Sequence, residues 1–142
     1  LICNYNKYDN ISNYRLDRIT EIRLLNTPVK DRTKVRGLEQ GLNLPQHMAE
    51  HIYMLAGESI PVAFRTSKVI LNDVMDWFGE ISLFNETEDT VDAAVTVNRE
   101  AMICWAMQYG RYVEVLEPTD LREEVKQAFI KALENYAVKE YF

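Results

Sequence analysis

The stretch Asn98-Arg-Glu-Ala-Met-Ile-Cys-Trp-Ala-Met-Gln-Tyr-Gly-Arg-Tyr-Val-Glu-Val-Leu116 decides how the second half of the chain folds. Asn98 is a helix N-cap, because its side-chain oxygen can accept from an orphan N–H of the first turn. Met102, Trp105, Ala106 and Tyr109 recur at i, i+3, i+4 and i+7, the spacing of one buried helical stripe. Gly110 ends the helix, and Tyr112 to Leu116 reads as a strand.

Upstream, Ile60 to Phe64 reads as a strand, and Ser67 caps a helix whose face is Ile70, Val74, Trp77 and Phe78, stopped by Gly79. Glu80 to Phe84 and Thr90 to Val97 form a hairpin around the acidic Asn85-Glu-Thr-Glu-Asp89. Downstream, Asp120 with Glu123 makes a capping box for a last helix packing through Leu121, Val125, Phe129, Leu133 and Tyr136. The order strand-helix-strand-strand-helix-strand is that of a ferredoxin-like αβ sandwich, with an added C-terminal helix. The expected fold class is therefore α+β.

The N-terminal part reads differently. Leu1 to Tyr5 has strand character, and residues 11–25 alternate as one or two strands through Ile11, Tyr14, Leu16, Ile19, Ile22 and Leu24. These strands amount to half of a small barrel at most, with an exposed edge that needs cover from a neighbouring chain. Thr27 to Gly41 is a polar, basic connector. Leu44-Pro45 opens a short helix through Ile52 or Tyr53, with proline in the first turn, where its missing N–H costs nothing.

With 142 residues, 47% of them apolar, the chain can bury one ordinary core or two small ones. No apolar run approaches the roughly 20 residues that span a bilayer, and the expectation is a cytoplasmic protein without membrane contact. The net charge of −6 is unevenly spread, with eight Lys and Arg against four Asp and Glu in residues 7–36 and eight against fifteen in residues 59–142. An anionic partner would meet the N-terminal part. Cys3 and Cys104 stand in neither a CxxC nor a metal-ligand pattern and are expected to be buried free thiols.

Tyr14-Arg-Leu-Asp-Arg-Ile19 resembles the signature of the closing strands of a WYL domain, the sensor module of many bacterial transcription factors. Tyr53-Met54, Gly57-Glu58, Asp76-Trp-Phe-Gly79, Tyr109-Gly110 and Val113-Glu-Val-Leu-Glu-Pro118 resemble, in that order, the WCX extension that follows WYL domains. The resemblance implies that residues 1–27 end a WYL domain of Sm-like barrel fold, that residues 28–57 connect, and that residues 58–142 form a WCX-like αβ domain. It further implies a winged helix-turn-helix upstream that contacts DNA, a homo-oligomeric assembly, and effector sensing in which the first Arg of the signature, Arg15, belongs to the ligand surface.

The residues themselves support that assignment in part. Arg15 and Arg18 offer planar forks of donors suited to phosphate, Tyr5, Tyr8 or Tyr14 can stack on a base, and Asp17 can orient an Arg. In an extended strand Arg15 and Asp17 share a face and Arg18 projects from the other. The plain alternative is an Arg15–Asp17 surface ion pair of little energetic weight, with Tyr14 and Leu16 packed inward. Ligand-binding candidates are thus Arg15, Arg18, Asp17, Tyr14 and Tyr5, with a nucleotide or single-stranded nucleic acid as effector. Arg23, Lys30, Arg32, Lys34 and Arg36 form either a solvated connector or a phosphate-contacting rim.

His47-Met-Ala-Glu-His51 matches the H-x-x-E-H of inverted zinc proteases, with Glu50 in the place of a general base. Such enzymes are much larger and need a third ligand from a distant helix, and this helix is short and follows Pro45, so a surface or interface helix is preferred. No enzyme activity, no metal and no cofactor is expected.

Overall fold

The computed structural model describes residues 1–137. An N-terminal antiparallel pair joins β1 (Ile2–Asn4) to β2 (Ile11–Asn13), with Ile2 opposite Asn13, Cys3 opposite Ser12 and Asn4 opposite Ile11. After a long loop and α1 (Leu44–Glu50) comes the αβ sandwich, made of β3 (Ser59–Ser67), α2 (Leu71–Phe78), β4 (Ser82–Phe84), β5 (Thr90–Asn98), α3 (Arg99–Gln108), β6 (Val113–Glu117) and α4 (Thr119–Glu134). Its four strands lie in the order β4-β5-β3-β6, all antiparallel. With two helices and four strands in this order the sandwich is ferredoxin-like, as the pattern of elements predicts, and α4 is the added helix.

The period of two along the strands sorts the sheet's faces. Val62, Phe64 and Thr66 on β3 and Val91, Ala93, Val95 and Val97 on β5 point to the buried side, where Val74 and Phe78 of α2 and Met102, Trp105 and Ala106 of α3 meet them. Trp105 is the centre of that layer, fully buried, with its ring 5.2 Å from Phe64 and 4.7 Å from Phe78, both edge-on. Asn98 caps α3 as expected, its Oδ1 accepting from the Ala101 N–H at 3.0 Å. Gly110 follows that helix at a crowded point, since a Cβ there would collide with the Phe129 ring of α4.

Several boundaries differ from the sequence expectation. Residues 14–25 do not continue as strands: Leu16–Arg18 is a single 3₁₀ turn, and Ile19 to Leu25 has no regular structure. Their alternation finds no facing strand, and the side chains stay in solvent, with Leu24 98% exposed. Helix α1 stops at Glu50, because the ring Nδ1 of His51 donates to the His47 carbonyl at 2.9 Å and the chain then turns through Met54 at positive φ. Ser67 caps a 3₁₀ turn, Lys68–Ile70, that leads into α2. The capping box at Asp120 does not form: Pro118 is the N-cap with no side-chain bond, and Asp120 instead pairs with Arg99 at 2.8 Å. Leu133 and Tyr136 stand exposed, because α4 buries only Leu121 and Val125 fully. Cys104 is exposed and Cys3 half-buried, so neither is the buried thiol expected, although both are free. No helix among the described residues is long and apolar enough to cross a membrane.

Candidate functional site

Asn4 organises the N-terminal hairpin by donating from Nδ2 to the Tyr8 carbonyl at 3.0 Å and the Asn10 carbonyl at 2.8 Å. The turn it holds carries Tyr5 and Tyr8, rings 5.9 Å apart and both about half exposed. Beyond β2, Tyr14 is also half exposed. Leu16 is 69% exposed, so neither Tyr14 nor Leu16 packs inward.

Arg15 and Asp17 come together, although through a turn and not through a shared strand face. Arg15 Nε donates to Asp17 Oδ1 at 2.9 Å and its terminal nitrogen to Oδ2 at 2.6 Å, a bidentate pair. The hydrogen bond from Arg15 holds the Asp17 carboxyl below the usual carboxylate range. Both side chains face water, so the pair contributes little to stability. What it does is orient the guanidinium. Arg18, on the same 3₁₀ turn, is exposed and has no ion-pair partner among the described residues. All five candidates face solvent, but they do not come together: Tyr5 lies at the turn end of the hairpin with Tyr8, and Tyr14, followed by Arg15, Asp17 and Arg18, lies at the other end beside Leu1.

The chain also forms a recess. A parallel bridge between Asn10 and Arg36 closes the base of the loop that starts after β2. Between this base, α1 and the approach to β3 opens a cavity of about 410 Å³, lined among others by Asn10, Asn13, Arg36, His47, His51 and Glu58. None of the five candidates drawn from the sequence lines it.

The two histidines at its back make a contact that the sequence did not announce. Their rings stack 4.1 Å apart at 25°, both largely buried, with His47 Nε2 3.4 Å from Asn13 Oδ1. The spacing of four residues does bring them to one side of α1, but stacked on each other. Among the described residues no cluster of three His, Cys, Asp or Glu could hold a metal ion. Burial pushes the His47 imidazole below its ordinary value, the neighbouring His51 adds to this, and Glu50 opposes it. The folded state therefore binds fewer protons than the unfolded state just below the ordinary histidine range, and stability is lost there as pH falls. Urea midpoints at about pH 5 and about pH 7.5 should differ in that sense, and His47→Gln should reduce the difference.

A second polar contact that sequence reasoning missed crosses the sheet. Arg65 on β3 and Asp92 on β5 face each other in register, with Nε to Oδ1 at 2.7 Å and the terminal nitrogen to Oδ2 at 3.1 Å. Asn85 donates to the same carboxylate at 3.1 Å, and Asp92 is only 2% exposed. The Arg65 bond draws the carboxyl below its usual range, burial works against it, and Asn85 adds to the lowering. It ties the β4–β5 turn to the middle of the sheet.

Residues 59–133, from the first strand of the sandwich to near the end of α4, match the WCX domain. The chain belongs to the WCX domain family. WCX domains accompany WYL domains at their C-terminal side, which supports a regulatory role for this chain. No curated protein matches it. In the WCX part the sheet, α2 and α3 build the core, while the aromatic and arginine surface and the histidine-backed recess both precede it in the chain.

Proposed function

We propose that this WCX protein is the ligand-sensing and assembly part of a bacterial transcriptional regulator. In this reading residues 1–27 are the closing strands of a WYL domain, and the protein works in the cytoplasm as a homo-oligomer. It controls a DNA-binding domain N-terminal to residue 1 and has no catalytic turnover. The observation that carries the reading is the WCX match over residues 59–133 downstream of Tyr14-Arg-Leu-Asp-Arg-Ile19.

The effector is a nucleotide or single-stranded nucleic acid. Arg18 and the pre-oriented Arg15 supply donors for phosphate, and Tyr5, Tyr8 and Tyr14 are exposed enough for a base to stack on them. Regulation then requires the effector to favour one arrangement of the assembly over another. Titrating labelled single-stranded oligonucleotides into the protein at low salt tests this. The Arg15→Ala, Arg18→Ala double variant should bind about tenfold more weakly or worse, and the wild-type affinity should fall steeply as salt rises. Unchanged binding by the double variant removes these arginines from the site.

A second reading, a purely structural homodimerisation module with no small ligand, draws on a different observation. Leu16, Ile22, Leu24, Leu25 and Val29 are each more than two-thirds exposed, apolar surface that a partner would cover. Absence of binding to any nucleotide or oligonucleotide would favour it.

A further inference from the structure

We infer that the gap beside β5, where β4 stops short, is a docking site for an extended basic segment of a protein partner. The gap is built from residues 43–96 alone, and the inference is independent of the effector reading above.

β5 runs through nine residues, but β4 pairs with only three of them, Asp92, Ala93 and Ala94. From Val95 onward that side of β5 has no strand beside it. Helix α2 ends at Gly79, and among the described residues no backbone bond joins residues 79–81 to β5. The opposite edge of the sheet, β6, is closed, because α4 packs on it and Arg122 donates to the Val115 carbonyl at 3.0 Å.

Two recesses of about 590 Å³ each meet in the gap and share Gly79, Glu80, Val95 and Thr96. One extends past Met75 and Leu83, and the other reaches Pro45, Ala49 and Glu50 of α1. Phe78 and Val95 are almost wholly buried at the base, whereas Met75 and Leu83 at the rim are nearly half exposed. An apolar side chain fits against that base.

The unpaired stretch selects an extended chain, which completes a ladder with the free N–H and C=O groups of a sheet edge. Val95 to Asn98 is three residue steps, about 10 Å in a strand, so a segment of three to five residues fills it. Charge selects what that segment carries. Glu50 and Glu80 are the ionisable groups that line the two recesses, no Lys or Arg lines either, and neither carboxylate is in an ion pair among the described residues. Residues 71–89 around them hold six Asp and Glu and no Lys or Arg. Such a rim attracts Lys or Arg and repels the acidic sandwich of a second copy.

Fluorescence anisotropy with labelled Arg-Val-Arg-Val-Arg amide tests the site, with Glu-Val-Glu-Val-Glu amide as its acidic counterpart. The basic peptide should bind at least about tenfold more tightly than the acidic one, and the Glu50→Lys, Glu80→Lys double variant should lose at least about tenfold of that affinity. Because both carboxylates lack ion-pair partners, the double variant keeps its fold. Asp73→Lys, on the same acidic surface but outside both recesses, should change the affinity less than about twofold. Methylating alternate backbone nitrogens of the peptide should abolish binding in one phase of the alternation and spare it in the other, as strand addition requires. Absence of binding up to about 1 mM overturns the inference. So does an equal loss in Asp73→Lys or tolerance of both methylation phases, either of which leaves only a diffuse attraction between charges. A wild-type dimer that Glu80→Lys dissociates also overturns it, because a second copy would then fill the gap.

Discussion

Trp105→Ala should cost about 4 kcal/mol of stability, the upper range for removing a large buried side chain. Trp105 is fully buried and touches the sheet through Phe64, α2 through Phe78 and its own helix through Tyr109. Three elements would thus lose contact with the same side chain, and rigid strands on one side leave little room for the void to collapse. The indole has one defect: its Nε1 is buried without a hydrogen-bond partner among the described residues. Trp105→Phe deletes that orphan donor along with some volume, so its cost should be well under half that of the alanine variant. Chemical denaturation of both variants, far-UV and fluorescence probes together, measures the two values. Equal losses would mean that a phenyl ring does not fill the site and that deleting the N–H brings no gain.

Asp92→Ala should lower stability by about 2 kcal/mol near neutral pH, the range for losing hydrogen bonds to a charged group. The loss falls short of that for breaking a fully buried pair, because the Arg65 side chain is 46% exposed and can return to water. Its pH dependence is the sharper signature. The folded-state carboxyl titrates below its unfolded value, so its stabilisation is complete above the ordinary aspartate range. As pH falls through the folded value that stabilisation is lost, and the curves of wild type and Asp92→Ala should converge. Parallel curves down to the acid limit would show that the carboxylate's charge is not what holds the β4–β5 turn.

The αβ sandwich was legible because its signals are local. A capping Asn98, a stripe closed by Tyr109 and a glycine at 110 each act within one turn of chain, and their combination leaves a single order of elements. The errors lie where a distant partner decides. The Asp120–Glu123 box is a sound local signal, but Arg99, at the start of α3, claims Asp120 first. Strand alternation in residues 14–25 is real in the sequence and idle in the structure, since a strand needs a ladder to pair with. For His47 and His51 the spacing was read correctly, but their burial, with His47 against Asn13, was not foreseen, because it depends on where β2 meets α1. Arg65 opposite Asp92 depends on the β3–β5 register, which no single segment encodes. The arginine and tyrosine candidates rest on composition and resemblance; the recess, which none of them lines, could not be read from the sequence, since its walls come from three separate stretches of chain.

The sandwich begins on β3 and ends on β6, and these strands are neighbours in the sheet, running in opposite directions, with Ala63 beside Glu117. The polypeptide therefore enters and leaves at the same end. At that end Arg99 fastens the entry to the exit: its backbone N–H donates to the Glu58 carbonyl at 3.1 Å, and its guanidinium holds Asp120 and Glu124 of α4.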